Sequence, residues 1–120
     1  MSFIQVLKYQ TAASDFLRQA FKELENGDLR QASEKGWGAA ASVVKAIAEQ
    51  RGWEHYSHDS LFEAAALLTN ESGDVNIRRD FQMASSLHTN FYEGWLREEM
   101  VRDGLNQVQR LMSALEPLLP

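Results

Sequence analysis

The chain has 120 residues, a formal net charge of −5, 44% apolar and 24% charged residues, and no cysteine. That length holds one hydrophobic core, so one domain is expected over residues 1–120. The missing cysteines exclude disulfides, thiolate metal sites and cysteine nucleophiles, and the acidic balance argues against nonspecific nucleic-acid binding, which needs a basic footprint.

Both prolines, Pro117 and Pro120, lie at the C-terminal end, so nothing interrupts the helical patterns before them. The first helix is predicted from about Phe3 to Asn26. Phe16, Ala20 and Leu24 recur at four-residue spacing, with Leu17 and Phe21 beside them. Asn26-Gly27 ends it, and Asp28 with Gln31 forms a capping-box pattern that opens the second helix, about Leu29 to Arg51. Trp37, Ala40, Ala41, Val44, Ile47 and Ala48 make its apolar stripe. Gly36, Gly38, Ala39, Ala40 and Ala41 are small enough to let a neighbouring helix approach closely. Gly52 stops it, and Trp53-Glu54-His55-Tyr56 connects to a shorter third helix. That helix is capped by Ser57 or Ser60, with Ser60–Glu63 as capping box, and ends near Asn70.

Asp74 is the expected N-cap of the fourth helix, about Val75 to Tyr92 or Trp95, with Ile77, Phe81, Ala84, Phe91 and Trp95 as its stripe. The fifth runs from about Arg97 to Leu115. It places Val101, Leu105, Val108, Met112 and Leu115 at alternating steps of four and three. Short loops favour antiparallel neighbours. The predicted fold is an all-α, antiparallel up-and-down bundle of four long helices and one short one. No apolar run approaches the roughly 18 residues of a membrane span, and no basic-then-apolar leader opens the chain. A cytoplasmic protein away from membranes is therefore expected.

His88 is the most informative polar residue. At about 100° per residue it falls near the centre of the fourth helix's stripe, with Tyr92 one turn on. It is either a hydrogen-bonded core or interface histidine, or a functional imidazole partnered by Tyr92. Arg78 and Arg79 open the same helix and offer an anion site, although Asp74 and Asp80 flank them. His55, His58 and Asp59 read as connection and helix cap, since a lone pair of histidines lacks a zinc ligand set. No metal and no cofactor are expected. Lys35, beside Glu34 and ahead of Trp37, is placed to contact a ligand or cover an aromatic ring. No phosphate loop and no nucleophile elbow occurs. Three tryptophans and six phenylalanines are many for a small bundle. Trp53, Phe91 and Trp95 left at the surface point to a partner or a homodimer.

Glu34-Lys35-Gly36-Trp37-Gly38-Ala39-Ala40, Val44-Lys45-Ala46-Ile47-Ala48 with Arg51-Gly52, and Leu87-His88-Thr89-Asn90-Phe91-Tyr92-Glu93 together resemble HEPN-domain proteins. The last segment looks like the small archaeal and bacterial branch with an LHxNFYE pattern. The resemblance covers about Phe16 to Leu115. It implies a helical, usually dimeric protein. Members of that family are metal-independent ribonucleases, often toxins, or non-catalytic partners for nucleotide or RNA, some working with a small nucleotidyltransferase. His88 matches the family histidine, and Tyr92 the aromatic position that follows. The catalytic arginine would stand at Phe81, Gln82 or Met83. Arg79 lies roughly opposite His88 on the helix, and Arg78 about 80° away from it.

The expectation is a non-catalytic homodimeric binding protein with Lys35, Asn90, Tyr92 and Glu93 as binding residues. A ribonuclease using His88 and Arg78, and a purely structural helical module, are the alternatives.

Overall fold

The computed structural model describes residues 2–120. It is all helical, with no strand among the described residues. The order is α1 (Phe3–Glu25), α2 (Leu29–Arg51), α3 (His58–Ser72), α4 (Asn76–Glu93), α5 (Glu98–Leu115) and a 3-10 turn, Glu116–Leu118.

The ends of the helices follow from local chemistry. The Ser2 hydroxyl accepts from the Gln5 N–H at 3.2 Å, and the Asp28 carboxylate from the Gln31 N–H at 3.0 Å. Each satisfies a backbone donor that the first helical turn leaves unpaired. At α3 the cap is Ser57, not Ser60. Ser57 and Ser60 exchange side-chain-to-backbone hydrogen bonds in a full capping box, so α3 starts earlier than the Ser60–Glu63 pattern suggested. It also runs on to Ser72, past the expected end near Asn70. Before α4, the Asp74 carboxylate accepts from the Asn76 N–H at 3.0 Å, although the first helical residue is Asn76. Gly52, Gly73 and Gly94 close α2, α3 and α4 with positive φ, a conformation that costs a side-chain-bearing residue roughly 1–2 kcal/mol.

α2 is the central helix and packs against each of the other four. Thirteen of its residues are buried, including Ala32, Ala39, Ala40, Val44, Ala46, Ile47 and Ala48. Its small residues leave room for large side chains of the neighbouring helices. A Cβ on Gly36 would stand 2.5 Å from Leu105 Cδ2 and 3.1 Å from Leu87 Cδ1. One on Gly104 of α5 would stand 2.9 Å from Leu87 Cδ2. The core is completed by Leu24, Leu61, Leu68, Ile77, Phe81, Leu87 and the α5 row Val101, Leu105, Val108, Leu111 and Leu115. Each such large side chain contributes about 1.5–3 kcal/mol on burial.

Side-chain pairs fix the directions. The Ser2 backbone N–H donates to the Glu49 carboxylate, so α1 and α2 are antiparallel. Glu34 meets His88 and Arg30 meets the Glu93 carbonyl, so α2 and α4 are antiparallel. Asp80 and Arg110 do the same for α4 and α5. α3 departs from the alternation. His58 lies against Trp37, while Glu71 pairs with Arg51. The 52–57 connection therefore carries the chain back along α2, and α3 runs in the same direction as α2's C-terminal half. Phe62 on Phe81 packs α3 antiparallel to α4.

The expected α4 stripe is also rotated. Its buried face is Ile77, Asp80, Phe81, Ala84, Leu87 and Asn90. Leu87 holds the centre, and His88 sits on the flank, half-buried. Trp95 falls outside the helix and is 65% exposed. On α5, Leu111 takes the fully buried place assigned to Met112, which is half-buried.

Candidate functional site

The flank of α4 brings together residues from three helices. His88 Nδ1 lies 2.7 Å from Glu34 Oε1 of α2. A carboxylate only accepts, so the neutral imidazole carries its proton on Nδ1. Nε2 then keeps a lone pair and has no hydrogen-bond partner among the described residues. Trp37, one turn beyond Glu34, lies under the imidazole with ring centroids 5.4 Å apart and planes 29° from parallel. His58, the first residue of α3, stands edge-on to both, 5.2 Å from each ring. Tyr92 stands edge-on to His88 at 5.5 Å and is 64% exposed. The result is a half-open imidazole with a carboxylate behind it, an indole floor, a second imidazole at its side and a phenol at its rim.

Several residues assigned to the site lie elsewhere. Asn90 is fully buried, and its amide is used inside the fold. Nδ2 donates to Ser33 Oγ at 2.9 Å, and Oδ1 accepts from the Leu96 N–H at 2.8 Å. It pins the α4–α5 turn to α2 and is out of reach of a ligand. Lys35 points toward α1, with Nζ 5.5 Å from the centre of the Phe16 ring. Arg78 is exposed and ten residues before His88, about 15 Å along the helix axis. Glu93 is exposed at the helix end, where its carbonyl accepts from Arg30 at 3.5 Å. Of the expected site residues, His88 and Tyr92 are brought together.

Glu34, Trp37 and His58 complete the cluster. Glu34 and Trp37 share a helix face at a spacing of three, which the sequence does display. Nothing in local spacing joins them to His58 and His88.

His55 and His58 part company. His55 is buried, with Nε2 2.8 Å from Glu49 Oε2 and Nδ1 without a partner. That hydrogen bond holds the Glu49 carboxyl below the usual carboxylate range, against an opposing effect of burial. Asp80, almost wholly buried, takes two hydrogen bonds from Arg110, which raise the guanidinium above its usual value. Among the described residues no group of three or more histidine and acidic side chains is arranged to hold a metal ion. No helix there is long and apolar enough to cross a membrane.

These features define a class: a compact all-α bundle of about five helices with a carboxylate-oriented histidine at a three-helix junction. The chain belongs to the archaeal PaREP1/PaREP8 family, whose pattern it matches over residues 8–112. It is also similar to a protein of Sulfolobus solfataricus known from a crystal structure. That likeness has 26% identity and a TM-score of 0.79, and covers 88% of this chain and 94% of the other. No curated protein matches it.

Proposed function

We propose that this is a HEPN-like, homodimeric, non-catalytic binding protein whose recognition face is the cluster of His88, Trp37, His58 and Tyr92. The observation that carries this reading is the half-open His88 imidazole, tied to Glu34 at 2.7 Å beside exposed Tyr92, with Arg78 about 15 Å away along α4. A site built for binding needs a fixed polar group with an apolar floor. It does not need the arginine that would steady a developing phosphorane charge. The ligand classes in view are a nucleotide, an RNA end or a protein partner such as a small nucleotidyltransferase.

The test is titration of the purified protein with nucleotides and with a short RNA oligonucleotide, following tryptophan fluorescence. Light scattering would establish the mass in solution. Saturable quenching by the wild type, lost in a folded His88→Ala variant, supports the reading. Absence of binding by nucleotide, RNA or any copurifying protein at physiological salt removes it.

One observation favours a second reading, a metal-independent ribonuclease. His58 provides a second imidazole edge-on to His88. Two imidazoles suit general acid–base cleavage of RNA. One would take the 2′-hydroxyl proton as that oxygen attacks phosphorus. The other would protonate the departing 5′-oxygen, leaving a 2′,3′-cyclic phosphate. Cleavage of mixed-sequence RNA in EDTA, abolished separately by His88→Ala and His58→Ala, would establish it. Absence of cleavage leaves the binding reading in place.

A further inference from the structure

We propose that the cavity between α1, α2, α5 and the C-terminal turn binds a small primary alkylammonium. It shares no residue with the His88 face and is tested independently of it.

The cavity has a volume of about 100 Å³. Ala13 of α1, Val43 of α2, Met112 of α5 and Leu119 give it apolar walls. Gln10, Ser14 and Glu116 bring the polar atoms. Gln10 and Ser14 stand one turn apart on α1, so their side chains share a face. Glu116 enters from the 3-10 turn that follows α5.

The Gln10 amide decides what can sit there. Its Nε2 donates to the Pro120 main-chain oxygen at 2.9 Å. Turning the amide over would set oxygen against oxygen, so the bond to Pro120 fixes which edge is which. Oε1 is then the free edge. It is buried and meets no donor among the described residues. A buried acceptor left unpaired is costly, and nearly all such groups find a donor. The tail that holds the amide is tethered a second time, by Gln50 Nε2 to the Leu118 carbonyl at 2.7 Å. The acceptor is thus fixed before a ligand arrives, which lowers the cost of binding one.

Charge and donor count select the ligand. No Lys, Arg or His lines the cavity, and Glu116 has no ion-pair partner among the described residues. Gln10 Oε1 and the Glu116 carboxylate only accept, and the Ser14 hydroxyl can accept. An anion would meet the Glu116 charge with Ser14 as its one donor. A primary ammonium has three N–H donors and no acceptor, one donor for each oxygen-bearing group. Its alkyl chain would lie against the apolar walls. The space is smaller than the roughly 150 Å³ cavity that admits benzene, so a chain of about four carbons is the upper size.

The experiment titrates the protein with n-butylammonium chloride at neutral pH and constant ionic strength, reading proton–nitrogen correlation spectra. Butanol and butyrate, with the same chain length, are the comparison probes. The expected result is saturable shifts centred on the Gln10 side-chain amide, Ser14 and Leu119. Butanol binds at least about tenfold more weakly, because it lacks charge-assisted hydrogen bonds, and butyrate does not bind. Ser14→Ala and Glu116→Gln each weaken butylammonium several-fold. Gln10→Leu abolishes saturation. Gln50→Leu, which loosens the same tail but removes no lining group, retains it, as does His88→Ala. The inference is overturned by shifts that do not saturate at millimolar butylammonium or by equal affinity for butanol. It is also overturned by a loss in Gln50→Leu that matches Gln10→Leu, which would trace the effect to the tail. Loss of nucleotide binding in His88→Ala bears only on the His88 face.

Discussion

Glu34 and His88 stand 54 residues apart in sequence and 2.7 Å apart in space, joining α2 to α4 through one carboxylate and one imidazole nitrogen. Because the carboxylate accepts, neutral His88 is expected as the Nδ1–H tautomer. Long-range nitrogen–proton correlation spectra of labelled protein above neutral pH would show it directly. Glu34→Gln should remove that bias, because an amide can accept or donate. It should cost at most about 1 kcal/mol in stability, since both groups are partly exposed. A His88 tautomer unchanged in Glu34→Gln would mean that Trp37 and packing, not the carboxylate, orient the ring.

Asn90 predicts a larger loss. Asn90→Ala leaves the Leu96 N–H without its acceptor and removes the donor to Ser33 Oγ, whose hydroxyl still donates to the Leu29 carbonyl, and an unsatisfied buried polar group costs about 1–3 kcal/mol. Urea unfolding should show a lower midpoint. The α4–α5 turn should also exchange its amide protons faster than the rest of α4. A variant with wild-type exchange at Leu96 would show that Gly94 alone holds the turn.

The helices were legible because each signal was local. Apolar spacing set α1, α2 and α5, and the glycines at 27, 52 and 73 marked breaks that the backbone does make with positive φ. What escaped the sequence depended on partners far along the chain. Asn90 looked like a ligand-binding amide, and only Ser33 and Leu96 reveal it as a structural pin. His58 looked like a helix cap, and only the return of the 52–57 connection along α2 sets it against Trp37 and His88. Short connections usually reverse the chain, but an extended one of six residues can instead carry it back to run parallel. The rotation of α4 by one residue, from His88 to Leu87 at the centre, came from counting Trp95 as helical when Gly94 had already ended the helix.

Close packing at α2 predicts a glycine effect opposite to the usual helix trend. Alanine in place of an exposed helix-interior glycine stabilises by about 1 kcal/mol. At Gly36 the added methyl meets Leu105 and Leu87, both fully buried and unable to swing into solvent. Overpacking costs about 1–3 kcal/mol, so Gly36→Ala should destabilise on balance. The shortening Leu105→Ala, combined with Gly36→Ala, should recover part of that loss relative to the sum of the single changes. Additivity in a double-mutant cycle of denaturation midpoints would place the clash elsewhere.

The last prediction concerns acid. Glu49 accepts from His55 at 2.8 Å and from the Ser2 N–H at 3.3 Å, so its carboxylate ties α2 to the 52–57 connection and to the start of α1. His55 is the largest cause of its lowered pKa. A carboxyl depressed in the folded state binds its proton more readily when unfolded. Its contribution is therefore fully present above the usual value of 4.5 and is lost as pH falls through the lower folded value. Glu71, lowered by Arg51, acts with the same sign. Thermal midpoints measured from neutral pH downward should fall below about pH 4.5 in the wild type. Glu49→Gln should start lower at neutral pH and decline less steeply in acid, because it no longer has that proton to bind. The same comparison in Glu71→Gln separates the two sites. Parallel acid limbs for wild type and Glu49→Gln would mean that other carboxylates govern the response.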